Sequence, residues 1–209
     1  MYEFEKRLIK QGYKYIAGVD EVGRGPLAAG VLACACILNL DKHIDGIDDS
    51  KKLTEQKRLE LTPLIQENAI AFAYGYVNES EIDDINIYQA SKLAMTRAVN
   101  NLKIKPDYLL VDAMTLDIDI LQESIIKGDT KSIGIAAASI LAKVKRDEIM
   151  EKFDLIYPGY GFKSHKGYPT KQHIEQLNKL KPCKIHRLSY KPVQVARLIQ
   201  QKLDLGGQE

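Results

Sequence analysis

Acidic residues occur in this sequence where hydrophobic segments end. Asp20 and Glu21 close an apolar segment and lead into a glycine-rich turn, and Asp112 ends the apolar run 108–111. Asp129 lies in a short polar turn that precedes a helix-forming segment. A carboxylate at the end of a buried strand loses solvation energy unless it is paired or binds a cation. Because Mg²⁺ and Mn²⁺ prefer oxygen ligands, convergence of these four acids would predict a divalent-metal site.

A site of this kind is suited to phosphodiester hydrolysis. Strand ends are where α/β folds usually bind ligands, and two cations about 4 Å apart can hold both the attacking water and the leaving oxygen. A plainer interpretation exists for each acid, since Asp112 and Asp129 can also cap a turn or a helix. The Asp20–Glu21 pair beside a Gly-Arg-Gly turn is less easily explained by capping. Acids in polar surroundings are predicted to be surface residues, namely Asp83, Asp84, Asp117 and Asp119.

Two further segments suit contacts with sugar or phosphate. The turn Gly23-Arg24-Gly25 lets backbone amides approach a ligand closely, although the same tripeptide is common in ordinary turns. In the helix predicted over 132–157, three polar residues recur at i, i+4 and i+7 and would share one face. A Ser-Lys-Arg face suits phosphate oxygens, and a plain solvated face fits equally well. These three residues are Ser139, Lys143 and Arg146.

Hydrophobic periodicity predicts the elements that would position these residues. The predicted strands cover 13–20, 28–38, 70–77, 108–112 and 124–127. The predicted helices cover a segment capped by Thr54, then 87–102 and 132–157, and two segments near 171–181 and 192–203. This order predicts an α/β fold with a mixed sheet flanked by helices and a C-terminal helical extension. The predicted division is a catalytic domain over 1–157 and a basic extension over 158–209 packed on it.

The composition is that of an ordinary globular protein. The chain has 209 residues, of which 45% are hydrophobic and 28% charged, and these values exclude disordered and fibrous classes. No apolar stretch reaches the ~18 residues that a membrane span needs, and charged residues occupy the N-terminus where a signal peptide would be apolar. We therefore expect a cytoplasmic protein with no membrane partner. The odd cysteine count favours buried thiols over disulfides at Cys34, Cys36 and Cys183.

Positive charge is concentrated in the C-terminal part of the chain. Between Lys143 and Lys191 there are twelve basic and five acidic residues, an excess of seven, whereas the net charge of the whole chain is +2. A basic section joined to an acid-bearing body is typical of an enzyme that binds a polyanion. A solvated helical surface would have the same composition, so charge alone does not decide between them.

Seven short motifs follow one another along the chain. They are Val19–Leu27 (VDEVGRGPL), Asp49–Leu53 (DSKKL), Ile82–Ile87 (IDDINI), Val111–Asp112, Lys127–Asp129 (KGD), Ile135–Lys143 (IAAASILAK) with Arg146–Asp147, and His165–Thr170 (HKGYPT). In this order they resemble bacterial ribonuclease HII, the type 2 ribonuclease H family, over about residues 13–193. Each motif alone is modest, but seven in sequence are difficult to explain by chance.

The resemblance implies a ribonuclease H-like fold and a metal-dependent endoribonuclease. The expected partners are RNA–DNA hybrids and duplex DNA that contains single ribonucleotides, the expected cofactor is Mg²⁺ or Mn²⁺ in a two-metal site, and the expected state is a monomer. Incision 5′ of the ribonucleotide would leave 5′-phosphate and 3′-hydroxyl ends.

The resemblance also implies roles for individual residues of this chain. The metal-binding acids of the family correspond to Asp20, Glu21, Asp112 and Asp129. The ribose-sensing loop corresponds to Gly23, Arg24 and Gly25, the junction-sensing tyrosine to Tyr168, and two lysines near the nucleic-acid backbone to Lys51 and Lys143.

The chain departs from the family pattern at two places. Ala28-Ala-Gly-Val31 stands where the family often has a Gly-Pro pair, and His186-Arg-Leu-Ser-Tyr190 stands where the family has His-Arg-x-Ser-Phe. Neither segment includes the four acids, so we expect effects on local packing rather than on activity. The histidines lack a metal-binding spacing, and His165 is predicted to have a structural or surface role.

Two rival functions belong to different classes. One is another nuclease of the same fold class, such as a junction resolvase or a type 1 ribonuclease H. The Gly-Arg-Gly turn beside paired acids and the motif around Tyr168 argue against it. The other is a non-catalytic module that binds hybrids, which would not need all four acids.

Overall fold

A five-stranded mixed sheet forms the centre of the molecule. The computed structural model describes residues 1–48, 50 and 52–206, with side chains described as far as residue 199. The strands lie in the order β3-β2-β1-β4-β5, with β2 antiparallel to both of its neighbours, β1 and β3, and β4 parallel to both β1 and β5. The mixed sheet predicted from the sequence is therefore confirmed. The strands are β1 (Ile16–Val22), β2 (Val31–Leu38), β3 (Ala69–Val77), β4 (Tyr108–Asp112) and β5 (Gln122–Ile125).

Helices cover both faces of this sheet. Those of the described residues are α1 (Glu3–Lys10), α2 (Glu55–Asn68), α3 (Glu79–Asn100), α4 (Ile133–Ile156), α5 (Phe162–His165), α6 (Lys171–Leu180) and α7 (Lys191–Gly206), with a 3-10 helix at Gly128–Thr130. One hydrophobic cluster joins α3 to the sheet, and a second joins α2 and α4 to its other face. Among the described residues, no helix is both long and apolar enough to span a membrane.

The strand β2 shows how the sheet is buried on both sides. Ala33 and Ala35 belong to the cluster on the α3 side, whereas Cys34 and Cys36 belong to the cluster on the α4 side. Side chains alternate between the two faces of a strand, so a strand covered on both faces is apolar throughout. Both of these cysteines are fully buried, which confirms the prediction for them, and Cys183 is a half-buried free thiol.

Helix α4 packs directly on β1 through two glycines. A Cβ atom at Gly18 would lie 2.0 Å from the carbonyl carbon of Gly134, so only glycine permits this approach. The buried Glu5 of α1 accepts hydrogen bonds from the Ser132 hydroxyl and from the Gly134 amide. Its carboxylate therefore lies at the N-terminus of α4, where negative charge is favourable. Helix α1 was not predicted; it has only eight residues, about two turns, although its apolar side chains share one face.

Helix boundaries are set by capping side chains. The Thr54 hydroxyl accepts a hydrogen bond from the Lys57 amide at 3.2 Å, as predicted. Helix α3 begins earlier than the predicted residue 87, because the side chains of Asn78 and Glu81 form a capping box. At Asn86 the backbone has a φ of 68° and interrupts the helix. The apolar periodicity used for the prediction starts only beyond this interruption.

The C-terminal helices pack against the segment that links β1 to β2. Ala28 forms a β-bridge with His186, and the Leu27 amide donates a hydrogen bond to the Gly167 carbonyl at 2.8 Å. Leu27 also lies in one hydrophobic cluster with residues of α6 and α7, namely Leu177, Val193 and Ala196. The helical C-terminal part is thus confirmed, and its division from the body at residue 157 stays a prediction.

Candidate active site

Three acids converge at the centre of the sheet. Asp20 and Glu21 lie on β1, and Asp112 is the last residue of the neighbouring parallel strand β4, where Val19 is paired with Val111. Carboxylate oxygens of the three residues all lie within 4.8 Å of one another. The parallel register therefore brings together the acids that the sequence analysis selected at these two strand ends.

These carboxylates lie close to one another and have little contact with water. Burial raises the pKa of Asp20 well above its usual value, and repulsion from Glu21 and Asp112 raises it further. Burial also raises the pKa of Glu21, and Arg24 partly opposes this effect from 3.5 Å. Charged carboxylates in this arrangement need a compensating cation.

One oxygen of this group has no partner among the described residues. The Oε2 atom of Glu21 is buried and accepts no hydrogen bond from them. A buried polar atom that is left unsatisfied costs roughly 1–3 kcal/mol. A hard divalent cation prefers oxygen ligands. The unsatisfied Oε2 atom of Glu21 and the neighbouring carboxylates therefore fit such an ion.

Hydrogen bonds fix the orientation of Asp20. Its Oδ1 atom accepts from the Glu21 amide at 2.8 Å, and Ser139 of α4 bonds to its carboxylate. The Ser139 hydroxyl is also 2.8 Å from the hydroxyl of Ser50, and both side chains are buried. Ser139 therefore connects Asp20 to the segment before α2. Sequence reasoning did not single out Ser50, although it lies within the DSKKL motif.

Asp112 is oriented by the turn that carries the fourth acid. The Gly128 amide donates a hydrogen bond to the Oδ1 atom of Asp112 at 2.7 Å. Asp129 follows directly in the 3-10 helix and is buried, but it lies outside the group of three converging acids. Its assignment as a metal ligand stays a prediction.

The Gly-Arg-Gly turn and Tyr168 lie side by side next to these acids. Gly23 has a φ of +99°, and a Cβ atom there would lie 2.4 Å from Nε of Arg146. A Cβ atom at Gly25 would lie 3.4 Å from Cε1 of Tyr168, so the tyrosine ring lies against this glycine. Tyr168 is 40% exposed, which leaves part of its ring open to a ligand.

The predicted Ser-Lys-Arg face does not point to solvent. Ser139 and Arg146 are buried, and Arg146 donates hydrogen bonds to the carbonyls of Lys166 and Ala28. Lys143 forms an ion pair with Asp147 at 2.6 Å. The sheet and the C-terminal part therefore cover Ser139 and Arg146, whereas Lys143 is only half-buried, and a phosphate-binding role of the three residues stays a prediction. Lys51, the other predicted lysine, lies outside the described residues.

Of the acids predicted to be on the surface, Asp83 differs from the others. Its carboxylate accepts hydrogen bonds from the amides of Leu188 and Ser189 and from the Ser189 hydroxyl. It therefore ties α3 to the segment before α7, a contact over more than one hundred residues that no local pattern reveals. The exposed acids, as predicted, are Asp84, Asp117 and Asp119.

His165 has the structural role that was predicted. It is buried, its Nε2 atom lies 2.8 Å from the Tyr160 carbonyl, and its Nδ1 atom accepts from the Gly167 amide. These bonds hold the turn that precedes Tyr168.

Comparison with known proteins agrees with this arrangement. The sequence model of the family described as Ribonuclease HII matches residues 17–193. The chain is 52% identical to ribonuclease HII of Listeria monocytogenes over 95% of its own length and 76% of that protein. It is 55% identical to ribonuclease HII of Clostridioides difficile over 90% of its length and 74% of that protein.

A solved structure shows the same fold. The crystal structure of ribonuclease H2 from Pyrococcus horikoshii has a TM-score of 0.77 and 28% identity, covering 90% of this chain and all of that one. The ribonuclease H-like fold is thus confirmed. From the family match and these relatives, the chain belongs to the ribonuclease HII family.

Proposed function

We propose that this protein is a metal-dependent endoribonuclease that cleaves the RNA strand of RNA–DNA hybrids. It also incises duplex DNA on the 5′ side of single ribonucleotides and leaves 5′-phosphate and 3′-hydroxyl ends. The observation that carries the proposal is the convergence of Asp20, Glu21 and Asp112 within 4.8 Å, beside a glycine-rich turn and an exposed tyrosine ring.

The acids of the chain supply the reaction centre. Asp20, Glu21 and Asp112, together with Asp129, would hold Mg²⁺ or Mn²⁺ through carboxylate oxygens. When bound, such ions would supply an acidified water as nucleophile and charge stabilisation for the leaving 3′ oxygen. Ser139 and Gly128 hold Asp20 and Asp112 in fixed orientations through their hydrogen bonds, so the ligand oxygens are preorganised before the substrate arrives.

The neighbouring turn and tyrosine supply substrate selection. Gly23, Arg24 and Gly25 would contact the ribose at the cleavage site, and the 2′-hydroxyl is the group that distinguishes RNA from DNA. The ring of Tyr168, which lies against Gly25, would pack on the deoxyribose that follows. An additional 2′-hydroxyl on that sugar would crowd the ring, so this contact would sense the RNA-to-DNA junction.

A single cleavage experiment tests the proposal. The protein is incubated with a duplex that carries one ribonucleotide, with Mg²⁺ or with Mn²⁺, and both product ends are mapped. We expect one cut on the 5′ side of the ribonucleotide, none in the all-DNA duplex, and none after chelation with EDTA. Binding of the duplex without cleavage in either metal would contradict the proposal and would favour the hybrid-binding module.

A further inference from the structure

The buried guanidinium of Arg187 has an unusual set of partners. Arg187 is 0% exposed, and its Nε atom donates to the Ala29 carbonyl at 2.8 Å. Its Nη2 atom donates to the carbonyls of Gly23 and Gly30. Its Nη1 atom donates to the carbonyl of Arg24 and to the hydroxyl of Tyr190, both at 2.9 Å. An arginine side chain has five N–H donors, so every one of them is used.

Two of these acceptors belong to the Gly23–Gly25 turn. The Tyr190 hydroxyl donates a further hydrogen bond to the Arg24 carbonyl at 2.8 Å. The carbonyls of Gly23 and Arg24 are therefore held from the buried side by residues that lie more than 160 positions away in the chain. Arg187 and Tyr190 come from the segment that links α6 to α7.

The contacts to the Gly23 and Arg24 carbonyls also fix the directions of the amides that follow them, because each carbonyl shares a planar peptide unit with the next N–H group. In a trans peptide the N–H group points opposite to the carbonyl of the same unit. The amides of Arg24 and Gly25 belong to the two peptide units whose carbonyls Arg187 holds, so they point away from the buried guanidinium. Neither amide donates a hydrogen bond to another described residue. Two free donors of the turn thus point away from the guanidinium, and the Tyr168 ring packs against the same turn at Gly25.

We propose that Arg187 is a positioning residue for ribose recognition, which fixes the Arg24 and Gly25 amides so that they face the 2′-hydroxyl of the bound ribonucleotide. Tyr190 assists through its bonds to Arg187 and to the Arg24 carbonyl. This inference rests on the proposed function. The alternative is that Arg187 only fastens the C-terminal part to the body.

The test compares the selectivity for ribose in two graded variants. Tyr190→Phe keeps the ring but removes the hydroxyl, and with it the bond to the Arg24 carbonyl and the bond from Nη1 of Arg187. Arg187→Lys keeps the charge but cannot supply five donors in a fixed plane. The control is Arg97→Lys, because Arg97 also joins a backbone carbonyl to a side chain, at Tyr76 and Glu81, without touching the turn.

Affinity is measured with the chain made inactive by Asp112→Asn, by fluorescence anisotropy. The probes are a duplex with one ribonucleotide and the same duplex in DNA alone. We expect the ratio of the two affinities to fall about 3-fold in Tyr190→Phe and about 10-fold in Arg187→Lys, the range for losing a hydrogen bond. NMR order parameters of the Arg24 and Gly25 amides should fall from about 0.85 toward 0.6. Arg97→Lys should change neither quantity.

Each outcome has a distinct meaning. If the affinity falls equally for both duplexes and the order parameters do not change, Arg187 only stabilises the packing of the C-terminal part against the rest of the protein. If Arg187→Lys does not fold, Tyr190→Phe decides alone, and an unchanged ratio there overturns the inference. Failure of the proposed function is separate, since the unmodified protein would then not cut the ribonucleotide duplex with any metal.

Discussion

At the scale of single residues, Asp112 gives the sharpest test of the metal site. Asp112→Asn removes one charge but keeps an oxygen that can accept the bond from Gly128, so the fold should remain intact. We expect cleavage of the hybrid to fall at least ~10²-fold, the lower range for loss of a key electrostatic group. Steady-state rates at saturating Mg²⁺ measure this. The matched control is Asp117→Asn, whose side chain is 91% exposed, and near-normal turnover of Asp112→Asn would refute the site.

Tyr168 offers a second test at this scale. Tyr168 is 40% exposed, so Tyr168→Ala should leave the melting temperature almost unchanged. Because stacking contributes roughly 1–3 kcal/mol, incision at a single ribonucleotide should slow roughly 10- to 100-fold, and long hybrids should be affected less. Tyr88→Ala is the control, with a side chain of similar exposure on α3. Equal losses on all substrates with a lower melting temperature would instead indicate a packing role.

At the scale of elements, the contact between α4 and β1 determines where the acids stand. Gly18→Ala would place a Cβ atom 2.0 Å from backbone atoms of Gly134, whereas Gly134→Ala would place one 3.3 Å from Gly18. Overpacking of a rigid contact costs about 1–3 kcal/mol, so Gly18→Ala should lower the urea midpoint strongly and Gly134→Ala only slightly. Similar midpoints for the two variants would show that α4 can move away from the sheet without cost.

Elements with strong local signals were predictable from sequence. The apolar run ending at Asp112 and the helix capped by Ser132 appear where periodicity placed them. Convergence of Asp20 with Asp112 was also expected, because the sequence predicts an apolar strand that ends at each acid and α/β folds bind ligands at strand ends. In the structure β1 continues to Val22, yet Asp20 still lies beside the end of β4. The residue types and their local order were sufficient for these conclusions.

Features that depend on long-range packing were not predictable. Arg146 has the sequence appearance of a solvated helix residue, yet the C-terminal part covers it. Asp83 looks like a surface acid, yet it bonds to Leu188 and Ser189. Neither contact has a local signature, since each partner lies at least twenty residues away along the chain.

At the scale of the whole molecule, binding to nucleic acid should depend steeply on salt. Two of the twelve basic residues between 143 and 191, Arg146 and Arg187, are buried, so exposed lysines must provide the phosphate contacts. The logarithm of hybrid affinity should fall linearly with the logarithm of salt concentration. Lys163→Ala should flatten this slope by up to about 1, whereas Lys105→Ala, an exposed lysine outside the basic section, should not. If the affinity does not depend on salt, the basic section between 143 and 191 makes no phosphate contacts and is only a solvated surface.

Global stability should also depend jointly on pH and metal. Burial first, and repulsion next, raise the pKa of Asp20, so the folded state holds this proton more tightly than the unfolded state. This contribution to stability is present at low pH and is lost as the pH rises from the usual carboxyl range through the raised pKa. A bound cation relieves the repulsion only when the acids are ionised. The gain in melting temperature from Mg²⁺ should therefore be larger at about pH 8 than at about pH 5, by about 3 °C or more.

Scanning calorimetry with and without Mg²⁺ measures this difference. In Asp20→Asn the pH dependence of the metal effect should shrink, and in Asp117→Asn it should not. A metal effect that is the same at both pH values would contradict the repulsion between the acids.

The order of the strands, β3-β2-β1-β4-β5, places the three converging acids on β1 and β4, two of the three strands that have a neighbour on each side. Local opening of a folded protein begins where fewest contacts hold the backbone, at ends and margins. The margins of this sheet are β3 and β5, and neither carries a converging acid. Fraying at the β3 margin should therefore leave the distances between the three acids unchanged, whereas opening of β5 should disturb Asp112, which pairs with Ile125 and is oriented by the turn that follows β5.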